Sequence, residues 1–500
     1  MAEPAAPGTI AVVGGGIAGL AAAWELSGGA DGPGPGSPRV VLLEGSGRLG
    51  GKLATERFGE REVDVGPDGF LGRRPEAAAL CREAGLGDEL VAIGGSGAAV
   101  WAGGRRRTLP GSLAMGVPTR FLPTARSRIL GVGGSLRLLV DVLLPRRDVR
   151  GPLGDRAIGP LVANKLGHRV VDRLVDPMVG GIYAGGVDNM SAAAVYPLLL
   201  GIAQHPGGFM RALRRASAHA PGAGGAGDGE AGPPAFWSLR DGVGSLGPRL
   251  GEALGRRGVS VRTGCSVGRL ERATSSPGWV LDTPQGPLTA DAVVLAVPAG
   301  PAADLLSPLD AEVGALLRGI DYASVATVTL AYPAEGFPED LVGTGLLVPV
   351  HSATPESLGA PGPYLVTACT YLGVKWPHCA RPGERLVRAS VGRFGDDRAM
   401  ALDDGELVAR VTAEVGVLLG VKTAPRAAMV RRWPDALPQY RVHHLLRVTG
   451  IEAAVRRFGG LAVAGAAYRG VGIPACVASG RAAAREVLSP EGPGADGPVP

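Results

Sequence analysis

Hydrophobic and polar positions follow three rhythms along this chain. The first is an unbroken apolar run. It occurs at Thr9–Val13 and returns at Arg39–Leu43, Ala290–Val297 and Leu461–Ala464. Runs this short with no polar alternation predict strands covered on both faces, as in parallel sheets. The second rhythm is helical. It predicts helices from Leu20 to Leu26, from Pro75 to about Leu90 (with Leu80, Ala84 and Leu86 available for burial), up to Arg257, from Asp404 to Leu419, and in the tail to about Leu488. The third is strand-like alternation at Val325–Ala331, Gly345–Val350, Tyr364–Tyr371 and Leu386–Val391, which predicts a half-buried antiparallel sheet. Shorter strands are expected at Val259–Arg262 and Ser266–Leu270, with a hairpin through Trp279–Thr283.

Between these stretches, Thr108–Leu200 looks helical in patches, broken by prolines at 110, 118, 123, 145, 152 and 160. Apolar residues recur at near-helical spacing over Val162–Val175, and Asp176–Gly185 then breaks the pattern. Glycines at 180, 181 and 185 would let a flat ligand approach backbone there. From His219 to Pro234 the composition collapses to Ala, Gly and Pro with two acids, which predicts a mobile surface insertion.

The fold class expected is α/β plus α+β. A discontinuous Rossmann-like domain would take residues 8–75, 236–300 and 457–488, and a mixed antiparallel-sheet substrate domain residues 76–90, 211–235 and 301–456. A helical subdomain would take 91–210, leaving 489–500 as a disordered tail.

The first of these domains is assigned to FAD binding, beginning from the first strand and the glycine turn after it. Gly14, Gly16 and Gly19 stand at the 1, 3 and 6 positions of a GxGxxG turn that also holds Gly15, Ile17 and Ala18. In such a turn the first glycine allows the tight bend and the second lets backbone approach a pyrophosphate. The third lets helix and strand pack closely, and the helix N-terminus offers free N–H groups to phosphate. The second strand ends on Glu44, a carboxylate placed to accept from ribose hydroxyls and to disfavour a 2′-phosphate. The connector 28–38 lengthens its spacing from Gly19 beyond the usual ~20 positions. A glycine-rich loop from Gly45 to Leu53 adds Arg48 and Lys52, cations suited to phosphate or to an electron-rich ring edge. Near the far end, Tyr468–Gly480 comes after another buried strand and opens another helix. A cofactor long enough to meet two helix N-termini favours FAD over a nicotinamide dinucleotide.

Composition narrows the classes. Five hundred residues at 45% apolar content can build two or three domains. The net charge is +5, yet positions 105–150 hold ten arginines against Asp141 and Asp148. That window reads either as a basic surface for an anionic substrate or lipid, or as a solvated face in an arginine-biased chain with only four lysines. No aromatic interleaving or nucleic-acid module accompanies it, so no nucleic-acid partner is expected. Cys81, Cys265, Cys369, Cys379 and Cys476 are scattered and odd in number, as in a reduced interior. The first residues lack a signal-peptide pattern and no apolar run reaches the ~18 residues of a spanning helix, so a cytoplasmic protein is expected, with peripheral membrane contact as the alternative. The seven histidines show no metal spacing, and no metal site is expected.

With these motifs in view, the chain from Thr9 to about Leu488 resembles the bacterial FAD-dependent porphyrinogen oxidases of heme biosynthesis, within the monoamine oxidase and phytoene desaturase superfamily. The glycine turn and the Arg48–Lys52 loop are superfamily-wide. Gly66–Phe70, Gly181–Gly185 and Gly470–Pro474 are narrower and carry the porphyrinogen resemblance. The resemblance implies non-covalent FAD held by Gly14 through Gly19, Glu44, Gly45, Lys52, Gly66, Pro67, Asp68, Gly69, Val267, Trp433, Val471, Gly472 and Ile473. It implies a substrate cavity at Arg74, Gly181, Ile182 and Trp376. Arg74, or Arg73 in its place, would meet a propionate, and Lys375 another edge of the ring. Gly186 beside Asp188–Ser191 and the 219–234 insertion depart from the family pattern and lie outside the flavin motifs.

The implied reaction removes six electrons from coproporphyrinogen III in three rounds, with oxygen as acceptor and hydrogen peroxide released. Protoporphyrinogen IX is the alternative substrate. No side-chain acid or base stands out beside the narrow motifs, so no catalytic residue is expected beyond the flavin. Backbone acceptors near Gly181 would hold the pyrrole N–H groups. An amine oxidase would share the first domain but usually has paired flanking aromatics and often a cysteine for covalent attachment; Cys476 lies in the right tail, and aromatics are only 4% of this chain. A non-catalytic flavin-bound scaffold is the remaining class.

Overall fold

A computed structural model of the chain describes residues 8–143, 154–203, 208–219, 233–274, 277–339, 341, 343–359 and 362–489. The chain divides into two compact units. One comprises Met1–Val91, Phe236–Asp321 and Leu445–Pro500, the other Ala92–Ala235 and Tyr322–His444.

The first unit is built on a five-stranded parallel sheet in the order Ser260–Arg262, Arg39–Leu43, Thr9–Val13, Ala292–Leu295, Leu461–Val463. Stretches from the start, middle and end of the chain thus share one sheet. Beyond Thr9 and Arg39 at their starts, its central strands are apolar and buried because helices cover them. Helices Ile17–Leu26, Pro75–Glu83, Leu246–Arg256 and Ile473–Leu488 contribute to one core with Val12, Leu42 and Val294. A polar tie runs through this helical layer, where Glu83 accepts from Trp24 Nε1 at 3.0 Å and pairs with Arg481 at 2.5 Å.

The second unit carries a seven-stranded mixed sheet, in the order Ala427–Pro438, Tyr322–Pro333, Glu384–Val391, Val366–Tyr371, Gly345–Leu347, Ala99–Trp101, Arg106–Thr108. All neighbours are antiparallel except Gly345–Leu347 with Ala99–Trp101. Helix Asp404–Leu419 packs on one face through Leu407, Val411, Val415 and Leu418, a stripe at helical spacing. Asp403 and Glu406 close its first turn as a capping box. Glu414 is wholly buried on the same helix, where it accepts from the amides of Leu365 and Val366 and pairs with Arg410. That carboxylate pins the start of the Val366–Tyr371 strand. The remaining helices include Phe121–Arg126, Gly131–Leu143, Ile158–Leu166 and Asp176–Tyr183.

Several expectations change in the folded chain. The helix from Pro75 stops at Glu83 because Gly85 takes a left-handed φ of +79°. Residues 76–90, 301–321 and 445–456 pack with the parallel-sheet unit, not with the antiparallel sheet. Residues 99–101 and 106–108 are strands of the large sheet, not part of a helical subdomain. The expected Ser266–Leu270 strand is Arg269–Arg272, entered after Gly268. Asp176–Gly185 does not break the helical pattern: Asp176–Tyr183 is a helix continuous with the turn before it, and tertiary packing overrides the low propensity of Pro177, Gly180 and Gly181. Most of the 219–234 insertion and nearly all of the 489–500 tail lie outside the described residues.

Candidate functional site

In the parallel-sheet unit, the carboxyl ends of Thr9–Val13 and Arg39–Leu43 bring the first motif together. Gly14 leaves its strand at φ +107°, and its N–H donates to Leu43 O at 2.7 Å. A Cβ on Gly19 would collide with the Gly14 carbonyl oxygen, so the helix can sit this close to the turn only with glycine there. Gly16 differs: a Cβ there meets nothing within 4 Å. Open space therefore lies over the N-terminus of helix Ile17–Leu26, where first-turn N–H groups lack helical partners. This is the cradle a pyrophosphate needs.

Glu44 stands beside it. One of its carboxylate oxygens accepts from Gly15 N at 2.6 Å and the other from Ser46 N at 2.7 Å. These bonds fix the carboxylate and leave lone pairs for ribose hydroxyls. Cys265 N donates to Glu44 O at 2.8 Å and Gly264 N to Ser46 O at 2.8 Å, which brings the turn containing Val267 alongside Gly45. Arg48 donates to Leu53 O at 3.0 Å and Gly51 O at 2.6 Å, folding the glycine loop around itself. Its first role is therefore to shape the loop that presents Lys52.

Gly66–Gly69 comes after strand Arg61–Asp64, and its position is set by Asp64. That buried carboxylate accepts from Thr55 Oγ1 at 2.6 Å and from the amides of Val243 and Gly244 at 3.0 Å each. Burial outweighs these donors and pushes Asp64 up to about 6. In the tail, Gly472 precedes helix Ile473–Leu488, and a Cβ on Gly480 would collide with Ala18 O. The second glycine helix thus crosses the first near its N-terminus, bringing Val471–Ile473 to the same edge of the sheet. Arg74 is engaged elsewhere: its guanidinium pairs with Glu76 at 2.6 Å, while Arg73 is exposed.

In the antiparallel-sheet unit, Gly181 and Ile182 are exposed on the last turn of helix Asp176–Tyr183, and a Cβ on Gly181 would lie 3.6 Å from Leu347. Leu347 belongs to the sheet face opposite helix Asp404–Leu419, because Leu346 faces that helix. Register extends this face across the sheet. One row runs Leu347, Ala368, Ser390, Thr327, Arg431, and the next Gly345, Thr370, Arg388, Thr329, Met429. Trp433 is on the same face, opposite Val325, with the Arg431 guanidinium 4.7 Å from its ring. The result is a wall with hydroxyls and two guanidiniums, running between the glycine pair and an aromatic.

Sequence reading missed Arg388 and Arg431. The available signal for Arg388 was a charge inside an otherwise apolar run, and Arg431, beside Arg432 on a half-exposed strand, carried none. Trp376, in contrast, is only 1% exposed, with Lys375 5.4 Å from its ring centroid and His378 stacked on it at 6.3 Å. Its ring is a core element of this unit.

Residues 17–488 match the family model of the flavin containing amine oxidoreductases. The chain belongs to that family. Coproporphyrinogen III oxidase of Bacillus subtilis is 29% identical over 96% of this chain and 98% of its own length. Coproporphyrinogen III oxidase of Propionibacterium freudenreichii is 35% identical over 96% of this chain and 90% of its own. A crystal structure from Exiguobacterium sp. 255-15, proposed by its name to be a protoporphyrinogen oxidase, superposes with a TM-score of 0.81 at 31% identity, covering 96% of this chain and 98% of that one.

Membership of the flavin containing amine oxidoreductases makes the protein an FAD-dependent oxidoreductase, and the glycine cradle with Glu44 fits the dinucleotide. The tail cysteine does not suit covalent attachment. Cys476 is buried beside the Gly470 and Val471 carbonyls, and burial pushes its thiol up to about 12, so no thiolate forms at neutral pH. Among the described residues no cluster of His, Cys, Asp and Glu could hold a metal ion.

Proposed function

We propose that this protein oxidises coproporphyrinogen III to coproporphyrin III, passing electrons to molecular oxygen and releasing hydrogen peroxide. The observation that carries the reading is the polar wall of the large sheet, with Arg388 and Arg431 between Gly181 and Trp433, in a chain aligned end to end with coproporphyrinogen III oxidases. Bound FAD would supply the two-electron acceptor, used three times to remove six electrons from one porphyrinogen. The chain's own residues would orient the substrate. Arg431 presents a guanidinium suited to a propionate, and the half-buried Thr327, Thr370 and Ser390 present hydroxyls beside it, with Arg388 and Thr329 buried behind them. The bare, exposed backbone at Gly181 lets a macrocycle lie close, with its carbonyl at the helix end near the pyrrole N–H groups. No side chain on this wall is required to move a proton, and orientation alone can contribute about 7–11 kcal/mol.

A four-propionate substrate uses more of these cations than a two-propionate one. Higher kcat/KM is therefore expected for coproporphyrinogen III than for protoporphyrinogen IX, falling as ionic strength rises. Arg431→Ala is expected to lower kcat/KM for coproporphyrinogen III by roughly tenfold to a hundredfold, at about 1.5–3 kcal/mol per charge-assisted contact. Porphyrin fluorescence followed under air with both substrates measures this. Equal or better turnover of protoporphyrinogen IX would make it the substrate instead.

A cytoplasmic location with peripheral membrane contact is proposed from helices Phe121–Arg126 and Gly131–Leu143. Leu122, Val132, Leu136 and Leu143 are 60–79% exposed, beside exposed Arg120, Arg126 and Arg128. Val132, Leu136 and Leu143 share one side of their helix. Three more of the ten arginines, at 146, 147 and 150, lie outside the described residues. No helix among the described residues is long and apolar enough to cross a membrane. Each arginine near an anionic surface contributes about 1 kcal/mol. The protein is expected to float with phosphatidylglycerol vesicles at low salt, to release at high salt, and to lose binding in Leu136→Asp. Absence of flotation at low salt rules the contact out.

A further inference from the structure

Two adjoining cavities, about 690 Å³ and about 510 Å³, open at the end of the large sheet and share Trp101, Gly104 and Val417. Neither is lined by Gly181, Ile182, Trp376 or Trp433, so they are separate from the polar wall. Their volumes fall in the range of small-molecule sites.

Three segments build the larger cavity. The hairpin turn Ala102–Arg105 closes with Ala102 N donating to Arg105 O at 2.9 Å. Gly103 and Gly104 take φ +62° and +69°, the left-handed pair of a tight hairpin. A Cβ at either would meet nothing within 4 Å, so this floor is bare backbone open to a flat ligand. The second segment is the loop 349–355, which brings His351. Trp101 stands edge-on to Tyr364, ring centroids 6.4 Å apart at 76°, and supplies the aromatic wall. The third segment is the helical run 168–175, which brings Arg169, Asp172 and Arg173.

The charge in this place has a sign. Across both cavities four arginines (Arg105, Arg106, Arg169 and Arg173) face the single acid Asp172. Arg173 Nη1 donates to Ile129 O at 2.7 Å and Arg169 Nη1 to Leu130 O at 3.4 Å, which fixes both stems and leaves further donors on each guanidinium. Among the described residues neither forms an ion pair with a carboxylate. An aromatic face, a bare glycine floor and pre-set guanidiniums together select a planar ring system bearing carboxylate or phosphate.

The cavity is also connected to the substrate wall along the chain. Val171–Val175 is wound as a π-helix and runs directly into Asp176–Tyr183, the helix that ends in Gly181 and Ile182. Such wide turns are frequent at functional sites. We propose that this cavity is a binding site for a flat aromatic anion, and that its occupancy is transmitted through helix 168–183 to Gly181 and Ile182. The inference goes beyond the proposed reaction and does not depend on it.

Calorimetric titration of the flavin-loaded protein with coproporphyrin III and, separately, with ATP tests it, because the two probes share the chemistry and differ in source. Arg169→Gln removes one cation from an exposed position, and Ala353→Trp fills the cavity from the loop while leaving every arginine in place. Each variant is expected to weaken one binding event about tenfold or more. Hydrogen exchange over 176–183 is expected to slow when the probe binds the unaltered protein and not when either variant is given the same probe. The probe that gives this pattern identifies the source. If neither probe binds, or if all binding survives in both variants, the site is overturned. Binding that weakens in the variants without any change in exchange over 176–183 overturns the transmission to Gly181. Turnover is not measured, so these outcomes are independent of the assigned reaction.

Discussion

Gly16→Ala protein is expected to fold with an unchanged midpoint of apo unfolding and to purify without yellow colour. Position 16 has ordinary extended backbone, φ −70° and ψ 174°, and a methyl there touches no protein atom within 4 Å. The methyl would instead occupy the space over the helix N-terminus where a pyrophosphate belongs. Gly19→Val should behave differently, because its side chain would drive into the Gly14 carbonyl. Overpacking of this kind costs about 1–3 kcal/mol, so both the apo midpoint and flavin affinity should fall. Gly480→Ala belongs with Gly19→Val, since its methyl would collide with Ala18 O between the two glycine helices. Flavin fluorescence titration and thermal unfolding of the apo proteins separate the cases. Gly16→Ala is expected to lose at least about a hundredfold in affinity, near 2.7 kcal/mol. Wild-type affinity in that variant would remove the turn from the dinucleotide site.

The same contrast explains how much of this molecule was legible in its sequence. The parallel sheet was readable because each buried strand is an unbroken apolar run and the first leads into glycines in a setting that demands them, at Gly14 and Gly19. Helix Asp404–Leu419 was readable to the residue, since the Asp403–Glu406 capping box marks its start and Gly420, with φ +72°, its end. Asp176–Tyr183 was not readable. Its proline and two glycines argue against a helix locally, and it is held by Arg393, 217 residues away from Asp176 along the chain. Arg74, whose charge suits a propionate, pairs with Glu76 two residues on and stays half exposed.

Sheet register, which sequence periodicity leaves open, is what assembles the substrate wall. Arg388 and Arg431 lie on different strands and are not even neighbours in one row; they face the same way because Thr329 pairs with Arg388 on one side while Thr327 pairs with Arg431 on the other. A slip of one residue in either pairing would turn a guanidinium to the face packed by Leu407 and Val411. The buried carboxylate of Glu414, tied to the amides of Leu365 and Val366, opposes such a slip at the Val366–Tyr371 strand.

Asp176→Asn is expected to lower the unfolding midpoint by on the order of 10 °C and to raise KM for the porphyrinogen more than it lowers kcat. Asp176 opens the helix that carries Gly181 and Ile182, and it pairs with Arg393 at 2.9 Å with both side chains about 10% exposed. Its other oxygen accepts from Val187 N at 3.3 Å, beyond the far end of that helix. Arg393 lies along the helix, its guanidinium 3.4 Å from where a Cβ on Gly180 would be, and Phe394 N donates to Ala184 O at 2.7 Å. The pair therefore fixes both ends of Asp176–Tyr183 against the strand Glu384–Val391. Removing one partner leaves a buried charge uncompensated, which costs about 3–5 kcal/mol. Replacing both residues with methionine removes that penalty, so the double variant should regain most of the lost midpoint. Its KM should stay raised, because methionines cannot hold Val187 N or fix the helix end, and this split separates positioning from stability. A single variant that unfolds within about 2 °C of the unaltered protein, or a double variant whose KM recovers together with its midpoint, would show that the pair only stabilises the fold.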